Sequence, residues 1–571
     1  MTNSTSLPLH ARCSRRPFPL ALVAPALLAV LAGMGAGFGT VPDTDDGSRS
    51  SAKIPEAQRG VAVIDGKEVP APKIPMGDAA TIAAIIKEGK ENSQVMSHLR
   101  HLAKDIGPRL TGSSRAEQAN KWAKGQYELW GLKNARIEEW GTIATRFDRG
   151  PSTAKVLLKD EKTSKGDDGK ETKTVEWKPA RDLQFSTQSW TKGTEGPVRG
   201  PVVRAPRNED EYKAMKDTLK GAWILIEAAP AVGQRGVRSR LSSSAEGRMK
   251  AREDVAAGTK KPEEIGLPER LIFDGVAGFI STTRDERVWT GAVSGWRERK
   301  LADMPSDLHL VVRLSDYDFL NSRLADEEPF ELEVNLDHKL TAGPIPCYNT
   351  IAEIPGTDKA DEVVIISAHM DSWDGPGSQG TTDNATGSST TLEAARILAA
   401  VGAKPRRTIR FVNWTGEEQG LLGSKGYVDK HKDEIVKSVS ACFVDDGGTD
   451  YNGGLPAASV MVDYLAAATA PINNVFYSDV DQKFLNINVR NTGDKIEVHG
   501  SSDHASFNRV GVPGFFWDEV GRADYGFGWH TQNDTFELGI EEYLRQSATA
   551  AAVTAYNLAC APDLLPRAKK E

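Results

Sequence analysis

The stretch VVIISAHMD, residues 363–371, decides the fold of this chain. Its apolar first half predicts a strand buried on both faces, and its end places an imidazole and a carboxylate at the carboxyl end of that strand. The run IRFVNW, residues 409–414, is followed in the same way by Glu417 and Glu418. Ligands of open α/β sheets bind outside the carboxyl ends of the strands. The two runs therefore predict one pocket lined by acids and histidine.

A cluster of carboxylates needs a cation or protons to compensate its charge. We therefore predict a metal site at this edge of the sheet. His369 is a candidate ligand, and Asp371 could accept the other ring N–H and fix the tautomer. Asp383 follows a loop rich in Gly and Ser and precedes an Ala-rich helix. It could cap that helix, but in this company a bridging position between two cations is favoured.

Glu417 and Glu418 are adjacent, so they are expected to have different roles. In an extended strand tip, neighbouring side chains point in opposite directions, which would let one bind metal while the other moves a proton. A third apolar run, residues 439–444, ends in Asp445 and Asp446, and the pattern alone does not choose between them. His530 lies in a loop-like stretch rich in Gly and aromatic residues.

Several longer motifs point to a known family. They are GPRLTGS (107–113), HMDSWD (369–374), TDN (382–384), KPRRTIRFVNWTGEEQG (404–420), DGGT (446–449), and His530 with Asp534 and Thr535. With these motifs, which are spread over residues 78–560, the chain resembles the zinc peptidases of family M28, in the branch that contains carboxypeptidase Q.

The resemblance implies two zinc ions per chain, with cobalt as a substitute, and a metal-bridged hydroxide as the nucleophile. Its pattern assigns the metal ligands as His369, Asp383, Glu418, Asp446 and His530. Asp383 would bridge the ions, and Asp446 is selected over Asp445 because a small pair and Thr follow it. Glu417 would be the general base. Two divalent ions ~3.5–4 Å apart can generate such a hydroxide near neutral pH.

Strands and helices alternate between residues 347 and 561, which predicts an α/β fold with a mixed, mostly parallel sheet covered by helices on both faces. The resemblance implies the zinc exopeptidase fold. The predicted organisation is a signal peptide (1–40), a flexible spacer (41–77), the N-terminal part of the peptidase domain (78–185), an inserted protease-associated-like domain (186–340), the C-terminal part with the metal site (341–562) and a tail (563–571).

The leader has Arg12, Arg15 and Arg16 before an Ala/Leu-rich run, which is typical of a signal peptide and similar to the twin-arginine type. It predicts a secreted or periplasmic protein that would touch a membrane only through an uncleaved leader. The formal net charge of -8 argues against nucleic acid as a partner. A homodimer is expected only from the resemblance.

The predicted function is an exported exopeptidase that cleaves at the free N-terminus of peptides or splits dipeptides, because the branch it resembles acts mainly on unblocked N-termini. A metallocarboxypeptidase is the alternative within enzymes and would need a cationic pocket, to which Arg109 could contribute. A non-catalytic, receptor-like ectodomain should have lost ligands, and here every ligand position is filled. A single-zinc aminoacyl cyclase is disfavoured by the complete second ligand set.

Overall fold

The computed structural model describes residues 60–165, 171–227, 247–496 and 500–570. The predicted leader and the first part of the predicted spacer, through residue 59, lie outside this range. The spacer prediction is wrong over residues 61–70. There Val61–Ile64 and Lys67–Pro70 form a hairpin, and its first strand pairs in parallel with Asn488–Asn491. The predicted tail also contains a short strand.

The strands are β1 (Val61–Ile64), β2 (Lys67–Pro70), β3 (Lys133–Lys165), β4 (Glu171–Asp182), β5 (Phe185–Ser186), β6 (Val198–Arg204), β7 (Trp223–Leu225), β8 (Gly278–Thr282), β9 (His309–Val312), β10 (Phe330–Ile354), β11 (Lys359–His369), β12 (Arg407–Trp414), β13 (Val439–Val444), β14 (Tyr451–Ala457), β15 (Tyr477–Ser478), β16 (Lys483–Phe484), β17 (Asn488–Asn491), β18 (Lys495–Ile496), β19 (Gly514–Phe516), β20 (Asp518–Val520) and β21 (Lys569–Lys570).

The α-helices span Ala79–Glu91, Val95–Arg100, Ser114–Leu129, Glu209–Met215, residues 247–256, Leu267–Arg270, Leu314–Ala325, Thr386–Ala400, Leu422–Lys430, Lys432–Ser438, Val462–Thr469, His504–Arg509, Tyr525–Gly528 and Glu541–Cys560. Wider π-type turns occur at His101–Ile106 and Thr381–Ala385.

The central sheet has the order β19-β13-β11-β12-β10. The strands β19, β13, β11 and β12 run parallel to one another. The strand β10, on the other side of β12, is antiparallel to it. The strands β11, β12 and β13 are almost wholly buried, because both faces of the sheet are covered. The expected mixed, mostly parallel sheet is therefore present.

Helices cover both faces of this sheet. On one face, side chains of Thr386–Ala400 and Glu541–Cys560 pack with Ile366 and Phe411 in the largest apolar cluster. On the other face, side chains of Leu422–Lys430 and Lys432–Ser438 pack with Trp414 in a separate cluster. The carboxyl ends of the strands lie together at one edge of the sheet, between these two layers.

The region predicted as an insertion, residues 186–340, adds its own strands to the same sheet. The order continues from β10 through β6, β7, β8 and β9 to β5, and β6 to β9 are parallel. The long strands β3 and β10 form an antiparallel ladder from Lys133↔Glu353 to Leu158↔Phe330, which connects this region with the central sheet. All described residues belong to one compact unit.

A second, five-stranded sheet has the order β2-β1-β17-β14-β20. Its strand β14 packs against Glu541–Cys560, where Ser547 Oγ accepts a hydrogen bond from the backbone N–H of Asn452. The β21 strand in the tail pairs with β18. Among the described helices, none is long and apolar enough to span a membrane.

Candidate metal centre

Three neighbouring strands bring acid and imidazole groups to the same edge of the sheet. His369 is the last residue of β11, which lies between β12 and β13 and runs parallel to both. Asp446 follows the end of β13 by two residues, and Glu417 and Glu418 follow the end of β12. Parallel strands end at the same edge, so these side chains converge.

The first candidate group, site 1, consists of His369, Asp383 and Asp446. The Nε2 atom of His369 lies 2.8 Å from Asp446 Oδ1 and 3.2 Å from Asp383 Oδ1. The imidazole of His369 is fully buried. One imidazole nitrogen and two carboxylate oxygens that face a common point are a donor set suited to a divalent transition metal.

The second candidate group, site 2, consists of Asp383, Glu418 and His530. The Nε2 atom of His530 lies 2.9 Å from Asp383 Oδ2 and 2.9 Å from Glu418 Oε2. Asp383 therefore belongs to both groups, with one carboxylate oxygen directed to each histidine. This arrangement would allow the carboxylate of Asp383 to bind a cation in each group.

The backbone around Asp383 is held by Asp534. The carboxylate of Asp534 accepts hydrogen bonds from Thr382 N (2.6 Å), Thr382 Oγ1 (2.8 Å) and Asp383 N (3.3 Å). Asn384 donates to the backbone oxygen of Asp445 at 2.8 Å, which ties the loop to the end of β13. Burial raises the pKa of Asp534 to about 6, and the charge of Asp383 contributes to this rise.

The donor groups of the two sites are better suited to binding cations than to pairing with one another. Asp383 Oδ2 is buried and accepts no hydrogen bond, although His530 Nε2 is 2.9 Å away. Burial and the charge of Asp383 raise the pKa of Glu418 to about 7. Burial alone would lower the pKa of His530, but the charges of Glu418 and Asp383 raise it to about 9. The cluster thus needs added positive charge, which divalent ions would supply.

Glu417 lies beside the two groups but belongs to neither. Its Oε2 atom is 4.0 Å from His369 Nε2, and its side chain is 11% exposed. Its backbone N–H donates to Asp371 Oδ1 at 3.3 Å, and Thr111 Oγ1 donates to Asp371 Oδ2 at 2.8 Å. Burial raises the pKa of Glu417 well above its usual range, and the charge of Asp446 adds to this rise. Asp371 therefore anchors the segment that carries Glu417.

The structure modifies the expected role of Asp371 toward His369. The ring Nδ1 of His369 lies 3.0 Å from the backbone oxygen of Asp371 and 3.4 Å from its carboxylate. The carbonyl is therefore the closer acceptor for the ring N–H, because the chain turns back directly after β11. The carboxylate of Asp371 instead receives Thr111 and Glu417.

Arg109 does not offer a free cation to a substrate carboxylate, which contradicts the role considered for it. Its side chain is fully buried, and its guanidinium donates to five backbone oxygens. These belong to Leu102, Gly107, Met370, Gln379 and Gly380. Burial lowers its pKa to about 10. Arg109 therefore holds the loop between His369 and Asp383 in place.

Of the two acids after β13, the structure brings Asp446 and not Asp445 into site 1. The carboxylate of Asp445 accepts a hydrogen bond from Asn452 Nδ2 at 3.1 Å instead. His504 packs edge to face against Phe516, and burial lowers its pKa to about 4. Its neighbour Asp503 is fully buried; burial and the charge of Asp446 raise the pKa of Asp503 to about 7.

Tyr525 has no interpretable signal in the sequence, and the rings of Trp373 and Trp529 also lie at the site. Burial raises the pKa of Tyr525 well above its usual range, and the charges of Asp383, Asp446 and Glu418 add to this rise. Trp529 stacks on His530 with ring centroids 4.1 Å apart. Trp373 meets the same imidazole edge to face at 6.0 Å. The rings of Trp529 and Trp373 therefore pack against the imidazole of His530, a candidate ligand of site 2.

Comparison with known proteins defines the class. The sequence model described as "Peptidase family M28" matches residues 349–554, which contain every candidate ligand. The solved structure of a peptidase M28 precursor from Shewanella amazonensis SB2B is similar in fold. It has a TM-score of 0.55 and 21% sequence identity, and the alignment covers 86% of this chain and 99% of that one. The fold of this chain is that of M28 peptidases.

Sequence relatives give the family branch. Carboxypeptidase Q of Mus musculus is 31% identical over 497 residues, which are 86% of this chain and 90% of that protein. Carboxypeptidase Q of Xenopus laevis is 30% identical, and the chain spans only 60% of its length. Aminopeptidase YwaD of Bacillus subtilis is 30% identical over 35% of this chain and 42% of that protein. This chain belongs to peptidase family M28, and its similarity places it in the carboxypeptidase Q branch.

Proposed function

We propose that this protein is a zinc-dependent exopeptidase that removes residues from the free N-terminus of peptides or splits dipeptides. One observation carries the proposal. Asp383 is shared between two groups of ligand atoms, and the acid Glu417 lies 4.0 Å from His369 Nε2 outside both groups. Two bound cations would share Asp383, with His369 and Asp446 completing one site and Glu418 and His530 the other.

The chain's own residues then divide the work. Bound divalent ions would polarise the scissile carbonyl and lower the pKa of the attacking water. The carboxylate of Glu417 would accept the proton of that water on Oε2 and later donate it to the leaving amine. A raised pKa suits this exchange, because the group must be able to hold a proton near neutral pH. Thr111 and Asp371 keep the backbone of Glu417 in position.

Two points favour the aminopeptidase polarity over the carboxypeptidase polarity. Arg109, the cation considered for carboxylate binding, is fully engaged with backbone oxygens. The relative from Bacillus subtilis, aminopeptidase YwaD, is named for this polarity.

The polarity can be tested with matched pairs of free and N-acetylated dipeptides. We expect the purified, zinc-loaded enzyme to hydrolyse the free forms and to be nearly inactive on the acetylated forms. Equal rates on blocked and free substrates would refute an aminopeptidase. Chelation should stop hydrolysis, and zinc or cobalt should restore it, because the chemistry depends on the cations.

Replacing the proposed base gives a second test. Glu417→Gln should lower kcat about 10²- to 10⁴-fold, the range for loss of a general base, because the amide cannot accept the proton. Bound zinc, measured by elemental analysis, should stay near the wild-type amount. Glu418→Gln is the matched comparison, since it should reduce zinc binding as well. Loss of zinc in the Glu417 variant alone would mean that the roles of the two glutamates are reversed.

We further propose export through the basic and apolar leader in residues 1–40, to the periplasm or the outside of the cell. A homodimer is proposed only from the family resemblance. Size-exclusion chromatography with light scattering would decide it, and a monomer at all concentrations would reject it.

A further inference from the structure

A short segment of the inserted region lies directly against the loop that carries His530. The segment is residues 286–290, and the loop is residues 526–532. Gln532 makes a double contact with the segment, because its Oε1 accepts from Val288 N at 2.6 Å and its Nε2 donates to Glu286 O at 2.9 Å. Arg287 Nη1 donates to Gly526 O at 2.9 Å. Hydrogen bonds therefore join the segment to both ends of the loop, at Gly526 and at Gln532.

The contacts continue to the proposed ligand. Trp289 forms an antiparallel bridge with Thr531, and the N–H of Thr290 donates to the backbone oxygen of His530 at 3.3 Å. The Trp289 ring meets Trp529 edge to face at 5.9 Å, and Trp529 stacks on the imidazole of His530. Both the backbone and the ring of His530 are thus supported from the inserted region.

His530 needs such support because its backbone is in an unfavourable region. Its φ is +58°, in the left-handed region that residues with a Cβ adopt at a cost. Neighbouring contacts must hold a residue in this conformation, or the chain relaxes and the ring moves away from Glu418 and Asp383. The described residues 286–290 supply many of these contacts.

Thr290 also touches the loop that runs from His369 to Asp383. A Cβ placed on Gly375 would lie 1.9 Å from Thr290 Cγ2. The methyl group of Thr290 therefore occupies the space that the missing side chain leaves. Thr290 stands between the Gly375 loop and the His530 loop, and it contacts both.

We propose that segment 286–290 is a positioning element for site 2, which sets the affinity of the second cation by holding His530. This inference rests on the proposed two-cation site. The inserted region is then part of the metal centre rather than only a neighbour of it. Residues that support a metal ligand commonly change metal affinity 10- to 100-fold when they are replaced.

The test uses metal binding and not activity. Zinc affinity is measured by competition with a chelator of known affinity, for the wild type, Gly375→Ala, Thr290→Ser and the double variant. Gly375→Ala should weaken one of the two zinc ions about 10- to 100-fold, since the new methyl group displaces Thr290. Thr290→Ser removes only Cγ2, so the double variant should recover to within about threefold of the wild type, as expected for directly coupled neighbours.

Gly291→Ala is the matched control directly after the segment, because no atom lies within 4 Å of a Cβ placed there. It should bind both zinc ions as the wild type does. Gln532→Leu is an independent variant that keeps the volume of the side chain but removes both of its hydrogen bonds to the segment. It should also weaken one zinc ion, with a normal circular dichroism spectrum and melting temperature.

Three outcomes would overturn the inference. They are unchanged zinc affinity in both Gly375→Ala and Gln532→Leu, no recovery in the double variant, and parallel loss of both zinc ions with a lowered melting temperature. Failure of the proposed function would look different, because a wild type that binds two zinc ions but cleaves no peptide refutes the activity and leaves the binding comparison intact.

Discussion

Site 1 and site 2 share Asp383 but differ in what holds their other ligands. His369 and Asp446 of site 1 leave β11 and β13, which are adjacent central strands joined up to the pair Ser367↔Val444. Glu418 and His530 of site 2 lie in loops, and the backbone oxygen of His530 accepts a hydrogen bond from Thr290 in the region 186–340. A site built on rigid strands is positioned more reproducibly than one built on loops. Site 2 is therefore expected to be the adjustable half of the centre.

The largest effect is expected from removing Asp383, the candidate ligand that the two sites share. Asp383→Ala should abolish binding of both zinc ions and with it all hydrolysis, because each site loses a carboxylate oxygen. Zinc content by elemental analysis and a peptide assay would measure the effect. His530→Ala is the matched comparison and should retain the ion of site 1. If Asp383→Ala retains one ion at wild-type affinity, Asp383 does not bridge.

A substitution at Asp534 tests the support that both sites share, without changing a metal ligand itself. Asp534→Asn should weaken both ions about 10- to 100-fold, because Asp534 accepts hydrogen bonds from Thr382 and Asp383 and an amide can accept fewer of them. Asn533→Ala, one residue earlier, should have little effect on zinc affinity. Loss confined to one site would show that Asp534 supports only that site.

A smaller effect would separate the two sites in the unmodified protein. Titration with a chelator should remove zinc in two steps, with at least about a tenfold difference between the two affinities, because a loop-held ligand is positioned less well than a strand-held one. The first step should be absent in His530→Ala, in which site 2 is already lost. A single step for both ions would remove the distinction between the sites.

The smallest expected effect concerns His338, which lies beside Arg149; Arg149 in turn pairs with Asp374 in the loop after His369. Burial and the charge of Arg149 lower the pKa of His338 to about 4, from an ordinary value of 6.5. Below pH 6.5 the unfolded chain therefore binds a proton that the folded protein excludes until about pH 4. Stability falls as pH falls through this window, by about 1 kcal/mol between pH 7 and 5.5.

Denaturant unfolding at several pH values would measure this change. His338→Gln should have a shallower dependence of the unfolding free energy on pH between 7 and 5.5, because the titrating group is gone. Zinc affinity should not change at pH 7. An unchanged slope would mean that His338 is not the group responsible.

The central part of the site could be predicted from sequence because the strands that carry it are buried on both faces. Such strands are continuous apolar runs, and the predicted runs at 363–366, 409–414 and 439–444 correspond to β11, β12 and β13. Acids and histidine directly after such runs must meet at one edge. That argument reaches His369 and the acid pairs Glu417/Glu418 and Asp445/Asp446, but it does not choose within either pair.

His530 could not be placed by pattern, because it lies in an irregular loop with no periodicity, and only the family resemblance pointed to it. The contacts of Trp289 and Thr290 with the His530 loop could not be predicted either, because they join segments more than 230 residues apart and depend on packing. The β1–β2 hairpin was missed despite a signal. Asp65 and Gly66 between two alternating stretches are typical of a tight hairpin turn, and both have positive φ, at +48° and +74°.

The β3–β10 ladder limits how this enzyme can admit a substrate. Enzymes with two lobes often close like a jaw around a hinge of a few flexible residues. Here the two sheet regions are joined by a long hydrogen-bonded ribbon of residues 133–158 and 330–353, which has four register shifts, and bending it would break many backbone hydrogen bonds at once. Access to the reaction centre is therefore expected to depend on small movements of single surface loops, which would admit short peptide ends and not folded chains.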